Sequence, residues 1–179
     1  MALPLLTGAG ADRPVGPLDV DGRPDRTAAG RLERVTRTHR ELFERYVHAG
    51  AISRDPEAIA ALFTDDGEYE APLVPEGHPL PRRLVGREAI RSGIGAYHRE
   101  PAYQGTVDAA ASGYVLHETA DPDVFLVEID TVLVAPTGQR TTVSLVQVFR
   151  VRAGRIAKLR DYFAPPPEVP SPPQPARGA

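Results

Sequence analysis

The sequence predicts an α+β domain, and three observations carry that prediction. Helix-period apolar spacing occurs only before about residue 100. After it come only strand-like runs, at about 104–118, 123–135, 140–151 and 155–163. Two turn signals, "APTGQR" and "VRAGRI", join the last three runs as antiparallel neighbours. Helices first and a meander of long strands afterwards is the order of an α+β fold.

The elements follow in chain order. Residues 1–28 are rich in Gly, Pro, Asp and Arg without periodicity and read as a flexible arm. In "RLERVTRTHRELFERYVHAGAI", Val35, Leu42, Phe43, Tyr46 and Val47 fall at helical spacing. "RDPEAIAALF" starts a second helix, with Asp55 as N-cap, Pro56 at N1, and Ile59, Leu62 and Phe63 facing a core. "DDGEYEAP" turns into a short strand, and the loop "PLVPEGHPLPRRLV" leads to a third helix, "GREAIRSGIGAYHRE", weakened by Gly93 and Gly95. The folded domain is expected over 29–164. The proline-dense end, 165–179, can form neither a helix nor a central strand and reads as a disordered tail.

Composition narrows the function classes. With 179 residues, 41% hydrophobic and 25% charged, the chain reads as one ordinary globular domain. A net charge of -3 leaves no electrostatic footprint for nucleic acid. The absence of cysteine excludes disulfides, thiolate nucleophiles and Cys-ligated metals. His and acid spacing forms no compact metal triad, so neither a metal nor another cofactor is expected. No apolar run approaches the ~18 residues of a membrane span, and the N-terminus lacks a signal-peptide pattern, so a cytoplasmic protein is expected.

"VFLVEIDTVLV" poses the central question, because Glu128 and Asp130 interrupt an otherwise apolar strand. A two-residue loop at Thr137–Gly138 and a three-residue loop at Arg152–Gly154 set the register. Glu128 then lies opposite Gln147 and Leu159, and Asp130 opposite Leu145 and Asp161. Alternation with period two places these six on one face with Leu126, Val132, Val143, Phe149, Ala157 and Phe163. Acids among large apolar groups imply a half-closed cavity. The other face (Phe125, Val127, Ile129, Leu133, Val146, Val148) is apolar as well and is covered by helices or a partner. The plainer alternative pairs the acids with Arg160, Arg82 or Arg83, or places them on a solvated edge.

"RDPEAIAALFTDDGEYEAP", "LVGREAI" and "VFRVRAGRIAKLRDYF", spanning about 40–164, resemble the nuclear transport factor 2-like superfamily. This superfamily includes ketosteroid isomerases, limonene-type epoxide hydrolases and SnoaL-like polyketide cyclases. The resemblance implies a curved, mixed or antiparallel sheet wrapped around three N-terminal helices as a cone, an apolar pocket within it, and a homodimer. Ala71 falls where ketosteroid isomerases carry their base, Gln147 at their oxyanion-hole acid and Tyr46 at their helix tyrosine. Asp130, Asp161 and Tyr69 match residues of the epoxide hydrolases, with Glu128 where an arginine is expected. SnoaL-like cyclases use an acid on the final strand, which Asp161 matches. "ADPDVFLVEID" resembles the phenazine-biosynthesis A/B proteins, but "RSGIGAY" lacks their helix histidine.

The expected activity is therefore cofactor-independent acid–base ring closure or isomerisation of a largely apolar, oxygenated, polyketide-type substrate. Asp130 and Asp161 form the expected acid/base pair with Glu128 as auxiliary. Gln147, Tyr46 and Tyr69 are expected to donate hydrogen bonds to a developing oxyanion. Leu126, Leu145, Phe149, Leu159 and Phe163 complete the expected substrate wall. An epoxide hydrolase or epoxide-opening cyclase, and a non-catalytic ligand-binding or assembly module, are the alternatives. His39 and His48 are expected to be exposed, while His78 and His98 are placed to reach a cavity mouth.

Overall fold

The computed structural model describes residues 7–8, 26–101 and 105–163. The tail expected over 165–179, and most of the arm expected over 1–28, lie outside the described residues. Three helices precede the long strands: α1 (Arg26–Val47), α2 (Pro56–Ala61) and α3 (Arg87–Arg99). A π-helical turn, His48–Ile52, ends α1. The Asp55 carboxylate caps α2 by accepting from the Glu57 and Ala58 amides, as the Asp-Pro pair predicts.

The strands are β1 (Thr7–Gly8), β2 (Phe63–Glu70), β3 (Arg83–Val85), β4 (Thr106–Val107), β5 (Gly113–Glu118), β6 (Val124–Val134), β7 (Arg140–Arg152) and β8 (Arg155–Phe163). They form one sheet in the order β1-β5-β6-β7-β8-β2-β3, with β4 also paired to β6. Most pairs are antiparallel, but β2 runs parallel to β8 and β1 parallel to β5, so the sheet is mixed. The single strand expected over 104–118 is broken in two. Asp108 accepts from the Ala110 and Ala111 amides, a local turn that competes with the ladder.

One face of the curved sheet holds the core. Phe125 and Phe149, paired across β6 and β7, stack 4.6 Å apart. Phe43 of α1 meets Phe149 edge-on. His39, expected to be exposed, is buried: its ring stacks on Phe125 at 4.5 Å and Nδ1 lies 2.9 Å from Glu118. Burying each large apolar side chain of this kind stabilises by ~1.5–3 kcal/mol. Gly93, read as a weak point of α3, has a packing role: a Cβ there would sit 2.6 Å from Leu84 Cδ2.

Both hairpins depart from the expected register. Between β6 and β7 the loop is Pro136-Thr137-Gly138. Ala135 N–H donates to the Gln139 carbonyl and Gly138 N–H to the Ala135 carbonyl, and Gly138 has φ +83°. This is the three-residue hairpin with glycine in the left-handed position, not a two-residue turn. Glu128 therefore pairs with Val146, and Asp130 with Ser144. Between β7 and β8 the loop is the two-residue Ala153–Gly154, both at positive φ, which joins Arg152 to Arg155. A bulge beyond it inserts Ala157, so Gln147 pairs with Asp161.

Candidate active site

The β6–β7 slip of one residue reverses the side chains of β6 relative to β7. Val127 and Ile129 share the core face with Gln147 and Leu145. Glu128, Asp130 and Leu126 occupy the opposite, outer face, which corrects their expected place in the cavity wall. Both acids are exposed there. Asp130 accepts a 2.6 Å hydrogen bond from the Ser144 hydroxyl, and Glu128 lies 3.3 Å from His117. They border a shallow groove of ≈ 480 Å³ also lined by Val115, Val146 and Tyr162. Water reaches both carboxylates, and neither is enclosed by apolar groups.

The bulge at Ala157 has the opposite consequence. Together with the shorter turn it shifts β8 by two residues against the expected register, and an even shift keeps Asp161 on the face of Gln147. Ile156 takes the buried position expected of Ala157. Leu145, Phe149, Leu159 and Phe163 keep their expected face.

Asp161 is 7% exposed and Gln147 5%. The Tyr69 hydroxyl, on β2 beside Leu159, donates to Asp161 Oδ2 at 2.9 Å. Tyr46 reaches the cluster from α1, its ring edge-on to Phe149 at 5.6 Å. Burial pushes the Asp161 carboxyl up to about 6, while hydrogen bonds from Gln147 and Tyr69 pull in the other direction. Burial and the negative charge of Asp161 push both tyrosines well above the usual phenol range. Both phenols thus stay protonated wherever the carboxylate can titrate.

The hydrogen-bond inventory defines what the cluster offers. Asp161 Oδ1 and Gln147 Oε1 are buried and have no partner among the described residues. An unpaired buried acceptor costs ~1–3 kcal/mol, so two adjacent ones mark a place where a polar group is accommodated. Tyr69 spends its proton on Asp161 and is not an idle oxyanion donor, contrary to expectation. The resulting site is a buried carboxyl group pushed up to about 6, one oxygen held by Tyr69 and the other without a partner among the described residues. Tyr97 joins the cluster electrostatically through Tyr69, a contribution absent from the sequence reading because it depends on the docking angle of α3. Among the described residues, no group of three His, Asp or Glu side chains could hold a metal ion. No described helix is long and apolar enough to cross a membrane.

A mixed, curved sheet folded over three helices, with a buried acid on its inner face, defines a nuclear transport factor 2-like domain. Within that superfamily the chain belongs to the SnoaL-like domain family, which matches residues 43–159. It is similar to the uncharacterised protein YesE of Bacillus subtilis, at 26% identity over 115 residues, 64% of this chain and 74% of that protein. Solved structures share the fold, and two of them are bacterial proteins. One is a candidate isomerase from Bacillus subtilis (TM-score 0.56, 24% identity, 75% of this chain and 88% of that one). The other is a candidate polyketide cyclase from Xanthomonas campestris (TM-score 0.54, 19% identity, 72% and 92%).

Proposed function

We propose that the chain is a cofactor-independent cyclase or isomerase that closes or rearranges a largely apolar, oxygenated, polyketide-type substrate by acid–base chemistry at Asp161. The observation that carries this reading is the buried Asp161 carboxyl, pushed up to about 6, with Oδ1 unpartnered. As the carboxylate it takes a proton from the carbon beside a substrate carbonyl, and the C–H electron pair passes into an enolate. The enolate carbon then bonds to a second carbonyl carbon, and the proton returns from Asp161 to the alkoxide that forms. Tyr69 holds Oδ2 and so fixes which oxygen faces the substrate. Leu145, Phe149, Leu159 and Phe163 supply the apolar wall.

The epoxide-opening alternative needs two acids at one site, and Asp130 lies across the sheet from Asp161, so that reading loses its second carboxylate. The homodimer is proposed through the outer sheet face, where half-buried Val115, Leu126, Val146, Val148 and Tyr162 form an apolar strip. A monomeric mass in sedimentation equilibrium would remove that part.

The test is α-hydrogen exchange of 2-tetralone, an enolisable apolar ketone, followed by NMR in D₂O. The wild type is expected to accelerate deuteration and Asp161→Asn to abolish the acceleration. Equal rates in the two proteins would sink acid–base catalysis. Saturable binding of the ketone without exchange would instead favour the ligand-binding module.

A further inference from the structure

The cluster around Asp161 is rich in acceptors and short of donors. The Tyr69 hydroxyl hydrogen goes to Asp161 and a Gln147 amide hydrogen to Tyr46, and the two buried atoms without a partner among the described residues of the cluster, Asp161 Oδ1 and Gln147 Oε1, both accept. A substrate carbonyl meets only acceptors at these two atoms and so needs a donor beside them. The loop between β2 and β3 supplies one. Its base is closed by the Ala71 amide donating to the Arg82 carbonyl at 2.8 Å, and Arg82 Nε donates to the Val74 carbonyl at 2.5 Å. Val74 and Leu80 anchor it in the core, both nearly inaccessible. The loop thus holds a fixed shape, with its His78 ring brought against Phe163 at the end of β8.

His78 sits in this loop in a turn closed by its own amide to the Pro75 carbonyl. Its ring lies against Tyr97 at 5.9 Å and edge-on to Phe163 at 6.2 Å, two residues along β8 from Asp161. The Leu80 amide donates to His78 Nδ1 at 3.1 Å. A nitrogen that accepts a hydrogen bond carries its lone pair, so in the neutral imidazole the proton resides on Nε2. Nε2 is buried and has no partner among the described residues.

We infer that His78 is the carbonyl-binding donor of the site: the Leu80 amide locks it as the Nε2–H tautomer, and that hydrogen takes a substrate oxygen while a substrate hydroxyl or enol meets Asp161 Oδ1 and Gln147 Oε1. The inference rests on the Asp161 reading and names the substrate class within it, namely an apolar scaffold carrying both a carbonyl and a hydroxyl or enol group. His78 is then a specificity-determining residue, and it acts as a donor rather than as a base.

Two substitutions separate this role from a structural one. Asn at position 78 keeps an acceptor for the Leu80 amide and loses the distal donor. Gln keeps a donor near the Nε2 position and loses the turn acceptor. Binding of 6-acetyl-2-naphthol, which carries carbonyl and hydroxyl, is compared with that of 2-naphthol by their fluorescence. His78→Asn is expected to weaken the first about tenfold, the scale of one lost hydrogen bond, and to leave the second unchanged; His78→Gln is expected to recover most of the loss. Equal weakening of both probes, or better binding by Asn than by Gln, overturns the donor role. Probe binding that depends on Asp161 but not on His78 overturns this inference alone, whereas a wild type that binds neither probe overturns the Asp161 pocket together with it. Long-range ¹H–¹⁵N correlations of the His78 ring give an independent check: the protonated nitrogen must be Nε2 near neutral pH, and protonation at Nδ1 contradicts the assignment.

Discussion

The two faces of one sheet carry acids of opposite character. On the outer face, Glu128 and Asp130 stand in water beside His117 and Ser144. On the inner face, Asp161 lies between Gln147 and Tyr69 with almost no contact with solvent and a carboxyl pushed up to about 6. All three are carboxylates on central strands of the same sheet. The difference lies in the parity of the hairpins: one extra loop residue sends the β6 acids outward, while a bulge combined with a shorter turn leaves Asp161 inside. Burial, not residue type, separates a candidate catalytic acid from an ordinary surface one.

The contrast breaks most sharply in activity. Asp161→Asn should lower α-proton exchange by ~10²–10⁴, the usual worth of a positioned general base. The wild-type rate should rise with pH through about 6 as the carboxylate forms, then level off. A rate that falls on crossing that range would place the acid form, not the base, in the rate-limiting step.

Stability should move the other way. The folded protein holds the Asp161 proton more tightly than the unfolded chain, whose Asp titrates near 3.8, because the folded value is about 6. Burying the ionised form therefore costs ~3 kcal/mol above about pH 6, and the cost fades as pH falls towards 4. Asp161→Asn, with its amide able to donate to Gln147 Oε1, should be more stable than wild type by about that amount at pH 8 and indistinguishable from it near pH 4. Denaturant melts at the two pH values check this, and a variant destabilised at pH 8 would mean the carboxylate is held by partners rather than strained. The residue that weakens the fold is then the one the activity needs.

A smaller effect is expected from Tyr69→Phe. It removes the hydrogen bond that favours the Asp161 carboxylate, so the rate profile should move to higher pH with activity near pH 7 reduced several-fold. A profile that keeps its midpoint would mean Tyr69 only fills space. The smallest effects belong to the outer face. Glu128→Gln and Asp130→Asn should each leave exchange within about twofold; a large loss from either with the oligomeric state unchanged would put the chemistry on the wrong side of the sheet.

How much the sequence discloses follows the same division. Helix starts are local: the Asp55-Pro56 cap specifies α2 through atoms two and three residues away. The order of helices and strands, the β8 motif and the family resemblance are likewise written in short segments. Asp161, Gln147, Tyr46 and Tyr69 are legible because they sit on such segments. The fate of Glu128 and Asp130 is not, because it turns on whether "PTG" makes a two- or a three-residue loop, and Gly138 suits both. Alternation then copies that one ambiguity along eleven residues of β6. His39 fails for a related reason: only tertiary packing brings Glu118 and Phe125 to it.

Acid–base chemistry on the inner face depends on the ionisation of one side chain. A ¹³C-detected pH titration of the Asp161 carboxyl, assigned by its disappearance in Asp161→Asn, reads it directly. A midpoint of about 6 is expected; a midpoint below about 4, in the range of ordinary exposed aspartates, would contradict a catalytic role for this buried acid.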